Sequence, residues 1–177
     1  ELYDNRKLIM NLAKSDFKTK YAGSFLGIIW AFVQPVVTVI VYSIVFQVVF
    51  AQADVGEVPY VLWLITGLVP WFFFNDALNG GTNAMIEYNY LVKKVVFKIS
   101  ILPIVKIISA LFVHLFFICF TIAIYVICGV LPGLYAVQIV YYMACAFILT
   151  LGLTYATSAV VVFFRDLTQI ISIVLQV

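Results

Sequence analysis

Twenty-three consecutive uncharged residues, Ile28 to Phe50 (IIWAFVQPVVTVIVYSIVFQVVF), constrain this chain more than any other feature. Crossing the hydrocarbon of a bilayer takes about twenty predominantly apolar residues, and this run is long enough. Three more candidate runs follow at 58–78, 102–130 and 134–164, the last two long enough to cross at a tilt. The apolar residues are continuous rather than alternating as in a barrel strand, so the spans are helical. Of the 177 residues, 66% are hydrophobic and 10% charged, against roughly a quarter charged in a soluble domain. A water-soluble fold of this length has no interior large enough to hide that apolar surface. We therefore expect an all-α integral membrane protein. A single transmembrane domain covers 1–177, with four complete spans, an N-terminal amphipathic interface helix at 5–24 and the start of a fifth span at 165–177. The chain begins at Glu1 rather than Met and stops at Val177 inside an apolar run, so a piece of a longer protein is expected.

The distribution of charge says more than its net value of +2, which is no signal for nucleic acid. Arg6, Lys7, Lys14, Lys18 and Lys20 precede the first span. The following loop, AQADVGEVPY, carries Asp54 and Glu57 but no lysine or arginine. Lys93, Lys94, Lys98 and Lys106 follow the second span, the turn VLPGLY has no basic residue, and Arg165 follows the fourth. All ten basic residues thus fall on one side of a four-span alternation, and that side is expected to be cytoplasmic, with the N-terminus inside. The adjacent Arg165 and Asp166 belong at the membrane interface for the same reason, since a charge at the bilayer centre costs roughly 2.5–3.5 kcal/mol on insertion scales.

Two segments are too polar to span. In RKLIMNLAKSDFKTKYAGS, Leu8, Ile9, Leu12, Ala13, Phe17 and Tyr21 recur at helical spacing, with Lys7, Lys14 and Lys18 mainly off that stripe. The expectation is a helix lying in the interface with its apolar side in lipid and its lysines toward anionic headgroups. It is either a plain anchor or a helix that touches or gates a lipid-borne substrate. In the second segment, Gly80–Gly81 is expected to break the preceding helix, with Thr82 or Asn83 capping a new cytoplasmic helix over 82–98. Met85, Tyr88, Leu91 and Val92 give that helix an apolar side, and Lys93 and Lys94 close it where cations suit its dipole. Such a helix is either a stop-and-return device or a surface offered to a soluble partner.

Signals for chemistry are sparse. No glycine loop ends in Lys-Ser or Lys-Thr, so ATP binding by that mechanism is absent. Asp54, Glu57, Asp76 and Glu87 sit at or beyond span ends, which argues against ion coupling through buried carboxylates. No metal-ligand spacing occurs among Cys119, Cys128 and Cys145, and each reads as a small apolar residue. His114, alone inside a span, reads as a hydrogen-bonding core residue. Gly23 and Gly27 form a weak close-packing motif. Aromatics are abundant in spans one and two. Trp30, Tyr42, Trp63, Trp71 and Phe73, with Gln34 beside Pro35, are either interface anchors and packing or the lining of a passage for an amphipathic cargo.

Taken in order, KSDFKTKYAGSFLGIIWAFVQP, GLVPWFFF, NYLVKKVVFKISILP and FFRDLTQI resemble the membrane subunits of bacterial type-2 ABC exporters of lipid-linked polysaccharide, the O-antigen, capsule and wall teichoic acid permeases. Lys98 departs from the pattern, since the family often has proline after the position of Phe97. The resemblance implies a six-span permease that is not itself an enzyme, with no cofactor of its own and ATP held by a separate nucleotide-binding ATPase subunit. It implies two copies of the chain, and coupling to the ATPase through Tyr88, Leu91, Lys93, Lys94, Arg165 and Asp166. It makes the helix bearing Lys14, Phe17, Lys18 and Tyr21 a gate, and the cytoplasmic membrane the location. Two alternatives stay open: a permease for drugs or small lipids, and a membrane scaffold that transports nothing.

Overall fold

The computed structural model describes residues 6–22, 25, 27–56, 58–89, 99–130 and 133–176. Six α-helices hold most of them: α1 (Arg6–Tyr21), α2 (Trp30–Ser43), α3 (Tyr60–Glu87), α4 (Ile101–Ile127), α5 (Gln138–Val161) and α6 (Leu167–Val174). A 3-10 turn at Gly27–Ile29 leads into α2, a π-helical turn at Ile44–Val49 continues it, and a 3-10 turn at Leu134–Val137 leads into α5. The resulting segments Gly27–Val49, Tyr60–Glu87, Ile101–Ile127 and Leu134–Val161 are each long and apolar enough to cross a membrane.

The helix α3 is the centre of the bundle, packing against α2, α4, α5 and α6. It starts where Pro59 fixes the entry, and the Asp54 side chain accepts the Tyr60 N–H at 2.9 Å. That bond satisfies one of the donors a helix start leaves open and sets a carboxylate at the positive end of the helix dipole. Pro70 removes the bond to the Thr66 carbonyl, yet the helix continues, as packed neighbours allow in membrane helices.

The helix also continues through Gly80–Gly81, contrary to the break expected there. At Gly81 a Cβ would collide with the Thr154 methyl of α5, so the glycine serves close helix approach rather than termination. Ala77, Thr82 and Ala84 of α3 and Thr150, Thr154 and Ser158 of α5 are fully buried, and the Thr82 and Thr157 hydroxyls meet at 2.8 Å between the two helices. Residues 82–87 therefore belong to α3, and the rest of the expected cytoplasmic helix, from 90 to 98, lies outside the described residues. Asp76 is correspondingly internal to a helix instead of standing at its end.

Two further differences concern the flanking helices. The apolar side of α1 faces protein, not lipid: Ile9 and Ala13 are buried against Ile101, Ile104 and Val105 of α4, while Leu8 and Met10 stay exposed. Leu8 falls off the buried stripe because the contact is narrow, one helix laid along another. Burying a side chain such as Ile9 away from water contributes about 1.5–3 kcal/mol. The helix α6, in turn, is tied to α3 by a polar ladder. Thr168 Oγ1 donates to Asn83 Oδ1 at 2.9 Å, Ser172 Oγ to Asn79 Oδ1 at 3.0 Å, and Asn75 Nδ2 to the Leu175 carbonyl at 3.2 Å. The three asparagines lie four residues apart and share one face of α3.

Candidate functional site

Charge is concentrated where α1 crosses the bundle. Asp16, buried on α1, lies 2.7 Å from the Lys106 ammonium of α4 and accepts the Tyr88 hydroxyl at 2.6 Å. Lys106 also pairs with Glu87 at the end of α3, and its ammonium lies 5.2 Å from the Tyr88 ring centroid. One helical turn beyond Asp16, Lys20 pairs with Asp76. Burial alone would lower the Lys20 pKa, but the Asp76 carboxylate more than offsets that and holds it above the usual lysine value. The neighbouring Tyr21 phenol is pushed up, chiefly by burial.

Two cavities meet at the second of these pairs. The first, about 570 Å³, is polar and bounded by α1, α3 and α4, with Asp16, Asn79, Asn83, Glu87 and Lys106 in its wall. The second, about 450 Å³, lies between α2, α3 and α4 and is walled by aromatic rings. Lys20, Asp76 and Ala110 border both.

Trp30, Gln34, Tyr42, Trp71 and Phe73, five of the six side chains singled out from sequence as passage candidates, line this aromatic cavity. Trp63 does not; it is 53% exposed, in ring contact with Tyr60 at the far end of α3, because its position on the helix turns it outward. The His114 ring stacks on Phe73 at 4.8 Å and borders the cavity, with Nδ1 lacking a hydrogen-bond partner among the described residues.

The helix α1 divides its four candidate residues between two faces. Phe17 packs edge-on against Phe112 of α4 at 6.0 Å, and Tyr21 lines the aromatic cavity, whereas Lys14 and Lys18 are exposed. Tyr88 is turned inward, onto Asp16. Arg165 and Asp166 are exposed in the turn between α5 and α6, with no ion pair among the described residues, and Asp166 stands at the N-terminal boundary of α6. Leu91, Lys93 and Lys94 lie outside the described residues. The ion pairs joining Asp16, Lys20, Asp76, Glu87 and Lys106 were not found from sequence. The available signal was Lys106 itself, a cation inside an otherwise apolar span, which demands a partner.

Membrane-length helices gathered round α3, their outer faces carrying exposed apolar side chains such as Val48, Ile127 and Val140, define a multi-pass helical membrane protein. A family model described as ABC-2 type transporter matches residues 7–177. The chain belongs to this ABC-2 transporter membrane family. It is 31% identical over 172 residues to the O-antigen export system permease protein RfbA of Myxococcus xanthus, which covers 97% of this chain and 65% of that protein. Two proteins of the same name from Klebsiella pneumoniae are 29% and 28% identical, each covering 94% of this chain and 63% of the relative. The chain thus spans a little under two thirds of the length of the curated relatives it matches.

Proposed function

We propose that this chain is the transmembrane subunit of an ABC exporter that carries lipid-linked polysaccharide, O-antigen or a related glycan such as teichoic acid, across the bacterial cytoplasmic membrane. The family membership and the relatives named for O-antigen export support this. The chain itself hydrolyses nothing and holds no cofactor; ATP is bound and hydrolysed on a separate nucleotide-binding subunit. Two copies form the transporter. The basic residues, all on one side of the spans, support a cytoplasmic N-terminus. On that side Leu91, Lys93, Lys94, Arg165 and Asp166 receive the ATPase, Tyr88 being turned inward onto Asp16, and α1 is the gate.

The observation that carries the proposal is the aromatic cavity. Trp30, Tyr42 and Trp71 line it together with the neutral amide of Gln34, a combination of ring surface and uncharged polar group suited to sugar rings. Co-purifying the full-length protein with its candidate ATPase and reconstituting both in liposomes tests it. Lipid-linked polysaccharide is expected to stimulate ATP hydrolysis several-fold, and the sugar-free lipid to leave it unchanged. Equal stimulation by sugar-free lipid or small apolar drugs overturns the glycan assignment, and failure to recover any ATPase overturns the transporter.

A further inference from the structure

We propose that the Lys20–Asp76 ion pair is a releasable partition between the two cavities, opened by a phosphate-bearing lipid whose headgroup takes Lys20 away from Asp76. The inference rests on α1 being the gate of the exporter described above and identifies the contact that gates.

Position is the first argument. Apart from Ala110, whose methyl forms no barrier, the side chains common to both cavity walls are Lys20 and Asp76. Separating them joins the polar cavity to the aromatic one.

Unequal anchorage is the second. Asp16 and Lys20 lie one turn apart on the same face of α1. Asp16 and Lys106 are 7% and 11% exposed in their side chains, whereas Lys20 and Asp76 are 41% and 36% exposed. Breaking the buried pair strands a charge away from water; breaking the partly hydrated one does not, and such pairs contribute little to stability. The end of α1 therefore lets go first, with Asp16–Lys106 as its pivot. Lys20 is also the second-last residue of α1, so only the final turn has to move.

The identity of the opener follows from charge. Of the described residues lining the cavities, only Lys20 and Lys106 are lysine or arginine. Lys106 is committed to Asp16 and Glu87, which leaves Lys20 as the cation an incoming anion can win. A carboxylate already holds it, so the competitor needs more charge or more acceptor oxygens, as a phosphate has. Lys20 borders the aromatic cavity, so an anion bound there has Trp30, Tyr42 and Trp71 in the same wall to receive its uncharged remainder.

The test uses the full-length protein with its ATPase subunit in nanodiscs, native cysteines replaced, and Gln34→Cys as a reporter in the aromatic cavity. The readout is the rate of reaction with a water-soluble maleimide. Asp76→Asn and Lys20→Gln are each expected to raise the rate several-fold, and the swap Lys20→Asp with Asp76→Lys to return it toward the parent, which guards against general unfolding. In the parent, a monoacylglycerol phosphate is expected to raise the rate, and the matching monoacylglycerol to leave it unchanged. Unaltered labelling in both single variants, or equal effects of the two lipids, overturns the latch. Inorganic phosphate acting as strongly as the lipid phosphate overturns the lipid as its source. A lipid-phosphate response without stimulation of ATP hydrolysis by lipid-linked polysaccharide sinks the export reading and leaves the latch standing.

Discussion

The Lys106 ammonium of α4 lies 2.7 Å from the Asp16 carboxylate of α1, and both side chains are almost completely buried. This ion pair, beside the apolar packing of Ile9 and Ala13, helps fix the N-terminal helix to the membrane bundle. Removing one partner of a buried pair typically costs about 3–5 kcal/mol, because the other charge is left without compensation. Lys106→Met is expected to destabilise the detergent-purified protein by that order and to expose α1 to trypsin. Asp16→Asn with Lys106→Met should recover much of the loss, which thermal melts and proteolysis would show.

The seam between α3 and α5 depends on Gly81. A methyl there meets the Thr154 methyl, and overpacking of this kind costs about 1–3 kcal/mol. Gly81→Ala is expected to lower the melting temperature, and Thr154→Ser in the same protein to restore part of it by removing the opposing methyl. An undiminished melting temperature in Gly81→Ala would mean the helices do not approach this closely.

The polar ladder joining α6 to α3 should be measurable but modest. Interhelical hydrogen bonds in membrane proteins average about 0.6 kcal/mol in double-mutant cycles. A cycle on Asn79→Ala and Ser172→Ala is expected to return a coupling of about that size, the pair being in contact at 3.0 Å. Zero coupling would place the hold on α6 elsewhere.

Alkaline pH should loosen the end of α1. Lys20 has its pKa raised in the folded protein, so the stability from its pair is present below the ordinary lysine value of 10.5 and is lost as pH rises through the raised value. Tyr21, also raised, acts in the same direction, since its folded form holds its proton longer. The pair is partly exposed, so the effect is small. Fluorescence of a probe on Lys18→Cys is expected to stay flat through neutral pH and change only above about 10.5, and Lys20→Gln to blunt that change.

Arg165 and Asp166 project from the α5–α6 turn with no ion pair among the described residues. Reversing both charges is expected to abolish co-purification of the ATPase or its coupling to transport, with membrane insertion and melting temperature unchanged. Intact pull-down and transport in the double reversal would remove this turn from the interface.

Hydropathy in the linear chain was sufficient for the class, because a run such as Ile28–Phe50 has no stable alternative to a bilayer-spanning helix. The resemblance in FFRDLTQI and the N-terminal wording reached the family for a related reason: those residues are contiguous, and contiguous patterns survive without coordinates. What failed was local inference about distant contacts. Gly80–Gly81 reads as a breaker until Thr154, far along the chain on α5, is placed against it. The stripe on α1 reads as lipid-facing until α4 is laid beneath it.

The sequence by itself thus determined that the chain is a helical membrane protein, since transfer free energy acts residue by residue along a run. Only the tertiary structure decided that Asp16 and Glu87 share Lys106, that Lys20 and Asp76 border two cavities, and that Trp63 stands apart from the other ring-bearing candidates. Those outcomes depend on which faces of separate helices meet, and helical periodicity names a face without naming its neighbour.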